Sequence, residues 1–355
     1  MNKYENYFVL SSSTRLTKGY NKSIIQDFQR NILHSISNDY YELIKLLDRN
    51  KISEIASNIE EDSLENFYKF LDFIEENEYG IFVDSPDLFP VKSNEIFDDY
   101  VHVKDCIIEL DESIVNYHKL NSILKELDNL NCEDIQVWFH KKPSESFIDR
   151  VIREVTQFNF LCVEIKINDS SLLTQSFIVE KLESIASISK IYLFNSAKAG
   201  IYEHIIEREN HHPLLFGQII SVTHGLNASS CGVISKDYLS FGIEYIFEIN
   251  KVHNGCLYKK VTIDVNGNIK NCPHMEESFG NGSIKEVLNN TKYLQKTKIN
   301  KDQIEICKDC EFRYNCTDCR AFLSEPGNLF SKPAKCGYDP YTNQWKEDSV
   351  IQSVL

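Results

Sequence analysis

Seven of the eleven cysteines, Cys256, Cys272, Cys307, Cys310, Cys316, Cys319 and Cys336, fall in the last hundred residues of a 355-residue chain. Four of them form two Cys-x2-Cys pairs, Cys307/Cys310 and Cys316/Cys319, separated by five residues. A tight turn of this kind brings two thiolates onto one ion or cluster, and a second turn completes the shell. Seven thiols exceed one four-ligand shell and fall one short of two. Two centres are therefore expected, one with a non-cysteine or open position, holding zinc or iron-sulfur clusters. His274, in Cys272-Pro-His274, offers a nearby imidazole and is read as a surface side chain. The other four cysteines, Cys106, Cys132, Cys162 and Cys231, are scattered, three of them in or beside apolar strand-like runs. They are expected to act as small buried hydrophobes. His211-His212-Pro213 reads as loop.

Composition limits what surrounds these thiols. With 42% apolar and 12% aromatic residues over 355 positions, the chain is a globular protein of two or three domains. No apolar run approaches the ~20 residues of a membrane span. The opening "MNKYENYFVLSSS" lacks a basic segment followed by a long apolar one, so the expected location is the cytoplasm. There, clustered cysteines signify metal or redox chemistry rather than disulfides. A net charge of −15 argues against a nucleic-acid surface.

The elements that must position the thiols have a regular pitch. Ile107, Ile135, Val163, Ile191 and Ile219 each mark an apolar, β-rich run, at constant spacing. Between them Leu120, Ile123, Leu124, Leu127 and Leu130 share one helix face after Ser113, and Phe147, Val151, Ile152, Val155 and Phe158 share another after Pro143-Ser144. Short strands alternating with amphipathic helices give βαβ units and a parallel sheet, here a partial (β/α) barrel over residues 100–250. Its strands would present Asp111, Glu112, His140, Asn168, Asn195 and His224 at their carboxyl ends, as loop caps rather than catalysts. "SIKEVLNN", from Ser283, reads as a capped helix covering the cysteine region. Residues 346–355 form a C-terminal tail.

Residues 1–90 are organised differently. "FVLSSSTRL", a turn at Lys18-Gly19 and "SIIQDFQ" read as paired strands. Helices follow at about 39–49, 52–59 and 63–79, and the strand "IFVDS" closes a winged-helix-like unit. Residues 1–100 carry 10 Lys and Arg against 19 Asp and Glu, which argues against the usual DNA-binding meaning of that fold.

The order Cys256, Gly267-x4-Cys272, Cys307-x2-Cys310-x5-Cys316-x2-Cys319 and Cys336 resembles the SPASM domain of peptide-modifying radical SAM enzymes, over residues 251–345. One spacing departs, since the family's last pair is Cys-x3-Cys. The resemblance implies two iron-sulfur clusters, [4Fe-4S] in type. One would be bound by Cys307, Cys310, Cys316 and Cys336, the other by Cys256, Cys272 and Cys319. It also implies a preceding radical SAM core, yet no two cysteines stand four apart, so the Cys-x3-Cys-x2-Cys motif is absent and S-adenosylmethionine is not expected. The barrel is then a degenerate one. The N-terminal unit resembles the precursor-recognition element of ribosomal-peptide maturation systems, where a leader peptide adds beside the third strand, here "SIIQDF". Along its length the chain resembles the SPASM proteins of grasp-with-SPASM systems. This implies an accessory role that binds a precursor leader and assists an ATP-grasp ligase. A redox or Lewis-acid enzyme using an open iron, and a zinc-binding regulatory module, remain alternatives.

Overall fold

The computed structural model describes residues 5–91, 101–206 and 214–346. His211-His212-Pro213 and the tail 347–355 lie outside these residues.

The N-terminal unit contains strands β1 (Tyr7–Leu10), β2 (Thr14–Lys18), β3 (Lys22–Asp27) and β4 (Ile32–Ser37), then helices α1 (Asn38–Leu47), α2 (Ile52–Ala56) and α3 (Glu61–Glu76), and strand β5 (Gly80–Val83). The run "FVLSSSTRL" is not one strand. It turns at Ser11–Ser13, where Thr14 N donates to Ser11 O at 3.0 Å, and its halves enter different sheets. β1 pairs antiparallel with β5, while β2, β3 and β4 form a separate antiparallel sheet in that order. β3 is therefore central, hydrogen-bonded on both sides, and a leader cannot add beside it. Among the described residues the unpaired edges of this sheet belong to β2 and β4. Ser37 caps α1 through its hydroxyl, which accepts from Tyr40 N at 3.3 Å. Ile44, Leu47, Ile52, Ile55, Phe67, Leu71 and Ile74 bring the three helices onto Phe8 and Ile25 in one core. Each such side chain contributes about 2 kcal/mol.

The central sheet continues with β6 (Asp105–Leu110), α4 (Tyr117–Asn129), β7 (Asp134–Phe139), α5 (Glu145–Val155), β8 (Cys162–Ile167), α6 (Gln175–Ser184), β9 (Ile188–Leu193), β10 (Gly200–Ile206) and β11 (Leu214–Ser221). Strands β6, β7, β8, β9 and β11 are parallel neighbours, and the constant pitch is visible in their register, where Ile135 pairs with Val163 and Ile191 with Ile219. Asn116, rather than Ser113, caps α4, and Ser144 caps α5 as expected. The connection from β9 to β11 breaks the alternation. It contains β10, which lies antiparallel on the outer side of β11.

Beyond α7 (Glu244–Val252), strands β12 (Lys260–Ile263) and β13 (Ile269–Lys270) extend the same sheet past β6, with β12 parallel to it. The sheet thus has eight strands in the linear order β10-β11-β9-β8-β7-β6-β12-β13. Helices α8 (Ile284–Leu288) and α9 (Thr291–Thr297) follow, and β14 (Tyr338–Asp339) and β15 (Gln344–Trp345) form a small closing hairpin. The expected cap of α8 is replaced. Ser283 Oγ donates to Glu126 Oε1 at 2.6 Å, and the same oxygen accepts from Lys285 N at 3.1 Å, so α4 supplies the cap from outside. Ile284 and Val287 accordingly pack into the core of the central sheet.

The N-terminal sheet docks on the cysteine-rich region. Tyr20 N donates to Asp309 O at 2.8 Å, Asn315 Nδ2 to Gln26 Oε1 at 2.7 Å, and Arg313 to the Lys18 carbonyl. Gly19 makes the approach possible, because a Cβ there would stand 2.9 Å from Glu311.

Candidate metal centres

Turns, rather than helices or strands, place the cysteine-rich thiols. Residues Cys307–Asp309 make one 3-10 turn entered through Ile306 at φ 67°, and Cys310 N closes it on Cys307 O at 3.0 Å. All eleven cysteines are free thiols.

The thiols fall into two groups. Cys307 feels the charges of Cys316 and Cys336, and Cys310 those of Cys316 and Cys307. Elsewhere, Cys256 feels the charge of Cys319, and Cys272 that of Cys256. Cys231, which sequence reasoning set aside as a buried hydrophobe, acts electrostatically on Cys256, Cys272 and Cys319. Nothing in its spacing announced this, since it lies 25 residues before Cys256 and outside the turn motifs. Cys316 and Cys319 face different groups. The shortened Cys-x2-Cys pair thus divides between them.

Burial pushes Cys307 and Cys272 up to about 12 and Cys256 to about 11. A lysine opposes this in each group. Lys301, 3% exposed, places Nζ 3.2 Å from Cys316 Sγ and 3.5 Å from Asp318 Oδ1. Burial would lower its pKa, but Cys316, Asp318 and Cys307 reverse the sign and hold it charged. Lys260 does the same beside Cys256, Asp105, Cys272 and Cys231. Backbone N–H groups also reach sulfur, from His274 to Cys272, from Phe312 to Cys310, and from Ala321 and Phe322 to Cys319.

Asp318 lies between the groups, 2% exposed, and accepts from Arg320 at 2.7 Å and Asn254 at 2.6 Å. Among the described residues, no group of three or more His, Cys, Asp or Glu side chains is placed to hold a metal ion. In kind the donors nevertheless suit a thiolate-bound cluster. Buried ammonium groups offset the charge that four thiolates bring, and N–H groups hydrogen-bond to sulfur from outside.

The strand-end residues are spent on joining loops. His140 Nε2 meets Glu109 Oε1 at 2.5 Å, Asn168 Nδ2 donates to His140 O at 3.0 Å, and Asn195 Nδ2 donates to Asn168 O at 2.9 Å. Asn195 N donates to His224 O at 2.9 Å. Lys141 and then Ser113 hold Asp111 down to about 2, and Glu112 accepts from the Ser144 hydroxyl at 2.6 Å. One group on the sheet was not anticipated. Lys166 is pinned between the rings of Trp138 and Tyr192, at 4.8 and 5.3 Å, and burial lowers its pKa. His274 is not a surface side chain either. Its ring lies 6.2 Å from that of Trp138 and 5.4 Å from that of Phe322, and its Nε2 is buried with no hydrogen-bond partner.

No protein-family model matches the sequence, and no curated protein matches it. Among solved structures, Streptococcus suis SuiB bound to S-adenosylmethionine is similar at 9% identity and a TM-score of 0.41. SuiB bound to precursor peptide SuiA is similar at 10% identity and 0.40, and a further SuiB crystal structure at 10% and 0.36. Each comparison covers 92% of this chain and 98% of that one. Overlaps this loose carry no argument about activity. Among the described residues no helix is long and apolar enough to cross a membrane.

Proposed function

We propose that the chain is an accessory maturation protein for a ribosomally synthesised peptide. It binds the precursor's leader and assists an ATP-grasp ligase, with two [4Fe-4S] clusters held in its cysteine-rich region. The observation that carries the reading is the division of the late thiols into two groups, each beside a lysine held charged, in a region to which the N-terminal three-stranded sheet is docked. In this proposal the first cluster takes Cys307, Cys310, Cys316 and Cys336, and the second Cys256, Cys272 and Cys319. When bound, such clusters would supply electron transfer or a rigid structural core. The chain's own residues bury the sulfurs, donate N–H groups to them and offset their charge. The leader is assigned to the β4 edge, since β3 is enclosed.

The test is to incubate precursor and ligase with and without this protein and weigh the products. Modified precursor appearing faster or only in its presence is expected. A mass change made without the ligase would replace the accessory role with the enzymatic one. Equal products in both arms would remove the role.

A further inference from the structure

We infer that Cys231 is the fourth thiolate of the second centre, completing the set Cys231, Cys256, Cys272 and Cys319. The inference rests on the cluster-binding reading above and deepens it.

Three observations place Cys231 there independently of spacing. A charge on its thiol acts through space on those of Cys256, Cys272 and Cys319, and none of the four is in a disulfide. Its neighbour Gly232 has φ 74°, and a Cβ on that glycine would stand 2.8 Å from Cys319 Sγ and 2.9 Å from the Phe322 ring. The backbone therefore passes flush against the sulfur of another member, in a conformation that L side chains rarely adopt. Finally, the segment is fastened to the cysteine-rich region on both sides of Cys231. Lys335 donates to the Ala228 carbonyl and, at 2.7 Å, to the Cys231 carbonyl. Ile234 N then donates to Lys335 O at 3.1 Å, where Ile234 forms a parallel bridge with Cys336.

His274 is the competing ligand, being two residues from Cys272 with a bare Nε2. Its charged neighbours are Glu109, Lys335, His140 and Lys166, and its ring packs on Trp138 and Phe322. Cys231 has three thiol neighbours in the group and His274 faces the sheet, so the sulfur is the better placed donor. A filled fourth position also removes the open iron that Lewis-acid chemistry requires.

The experiment uses the full chain, purified and reconstituted anaerobically with iron and sulfide, and the variants C231S, C256S and C307S, with C162S as control. Iron, sulfide and zinc are counted, and the reduced clusters are read by electron paramagnetic resonance. Cys231 alkylation is followed by peptide mass spectrometry before and after metal removal. Expected are loss or displacement of the same cluster signal in C231S and C256S, of the other in C307S, and no change in C162S. In the unmodified protein, Cys231 should alkylate at least tenfold more slowly while metal is bound, a readout that stands if C231S fails to fold. Both signals unchanged in C231S, or equal alkylation with and without metal, would overturn the assignment while leaving the two-cluster reading intact. A wild-type chain that takes up no metal would overturn both. Zinc without sulfide would overturn the iron-sulfur reading, and Cys231 protection would still decide the ligand.

Discussion

Lys301 Nζ lies 3.2 Å from the sulfur of Cys316, in a site where the lysine is only 3% exposed. Its ammonium is the buried cation that faces Cys316, Cys307 and Asp318 together. Substituting K301M leaves Asp318 with Arg320 as its remaining cation and the thiols with none. Unfolding in urea is expected to show a loss of about 3 kcal/mol, with reduced iron retention at the first group. Unchanged stability and iron content would show that Lys301 does not compensate the sulfurs.

Asp134 titrates abnormally for a reason visible in the sheet. It stands directly opposite Asp105 in the β6/β7 register, and burial followed by Asp105 raises its pKa from 3.8 to about 6. The unfolded chain ionises this group near 3.8, so stability falls as pH rises from there to about 6 and stays lower above. D134N should remove that slope and stabilise the protein at pH 7 by about 1 kcal/mol, discounted for partial solvent screening. Thermal melts across the interval check it, and parallel curves for both proteins would contradict it.

Gly19 seats the N-terminal sheet. In G19A the added methyl meets the Lys22 carbonyl and stands 2.9 Å from Glu311. The docking bonds from Tyr20 and Gln26 should loosen, at a cost of about 1–3 kcal/mol. Amide exchange at Tyr20 and limited proteolysis between the units should both accelerate. A variant as resistant as the parent would show that the contact tolerates the methyl.

If a leader adds to β4, the amides of Ile32–Ser37 are the ones that slow in exchange when precursor is added. Those of β3 are bonded on both sides beforehand and should change little. Protection confined to β1 and β5 would move the binding edge to the other sheet.

The helix and strand series was legible because hydrophobic period and strand spacing are local properties. Ile135 and Val163 sit side by side because equal βαβ units return each strand to the same height. The split at Ser11–Ser13 was hidden, since an alternating run reads as a single strand whether or not it changes sheets. β10 was missed because an exposed edge strand has no buried face, and Ile201 and Ile205 are 45% exposed. Ser283 looked like a cap on sequence grounds, yet the competing acceptor, Glu126, comes from a distant helix. The proposed metal residues within turn motifs could be listed from spacing alone. Cys231 could not, because its place follows from chain-distant contacts through Gly232 and Lys335. Lys166 and Lys260 were invisible for the same reason.

Asp309 belongs to the Cys307-x2-Cys310 turn, and its carbonyl is the acceptor for Tyr20 at the foot of the N-terminal sheet. On the proposed function, the loop that closes around metal is therefore also the hinge pin of the leader-binding unit. Slackening it by demetallation would be felt at the far unit, making the grip on a bound peptide a gauge of whether the protein is charged with its inorganic load.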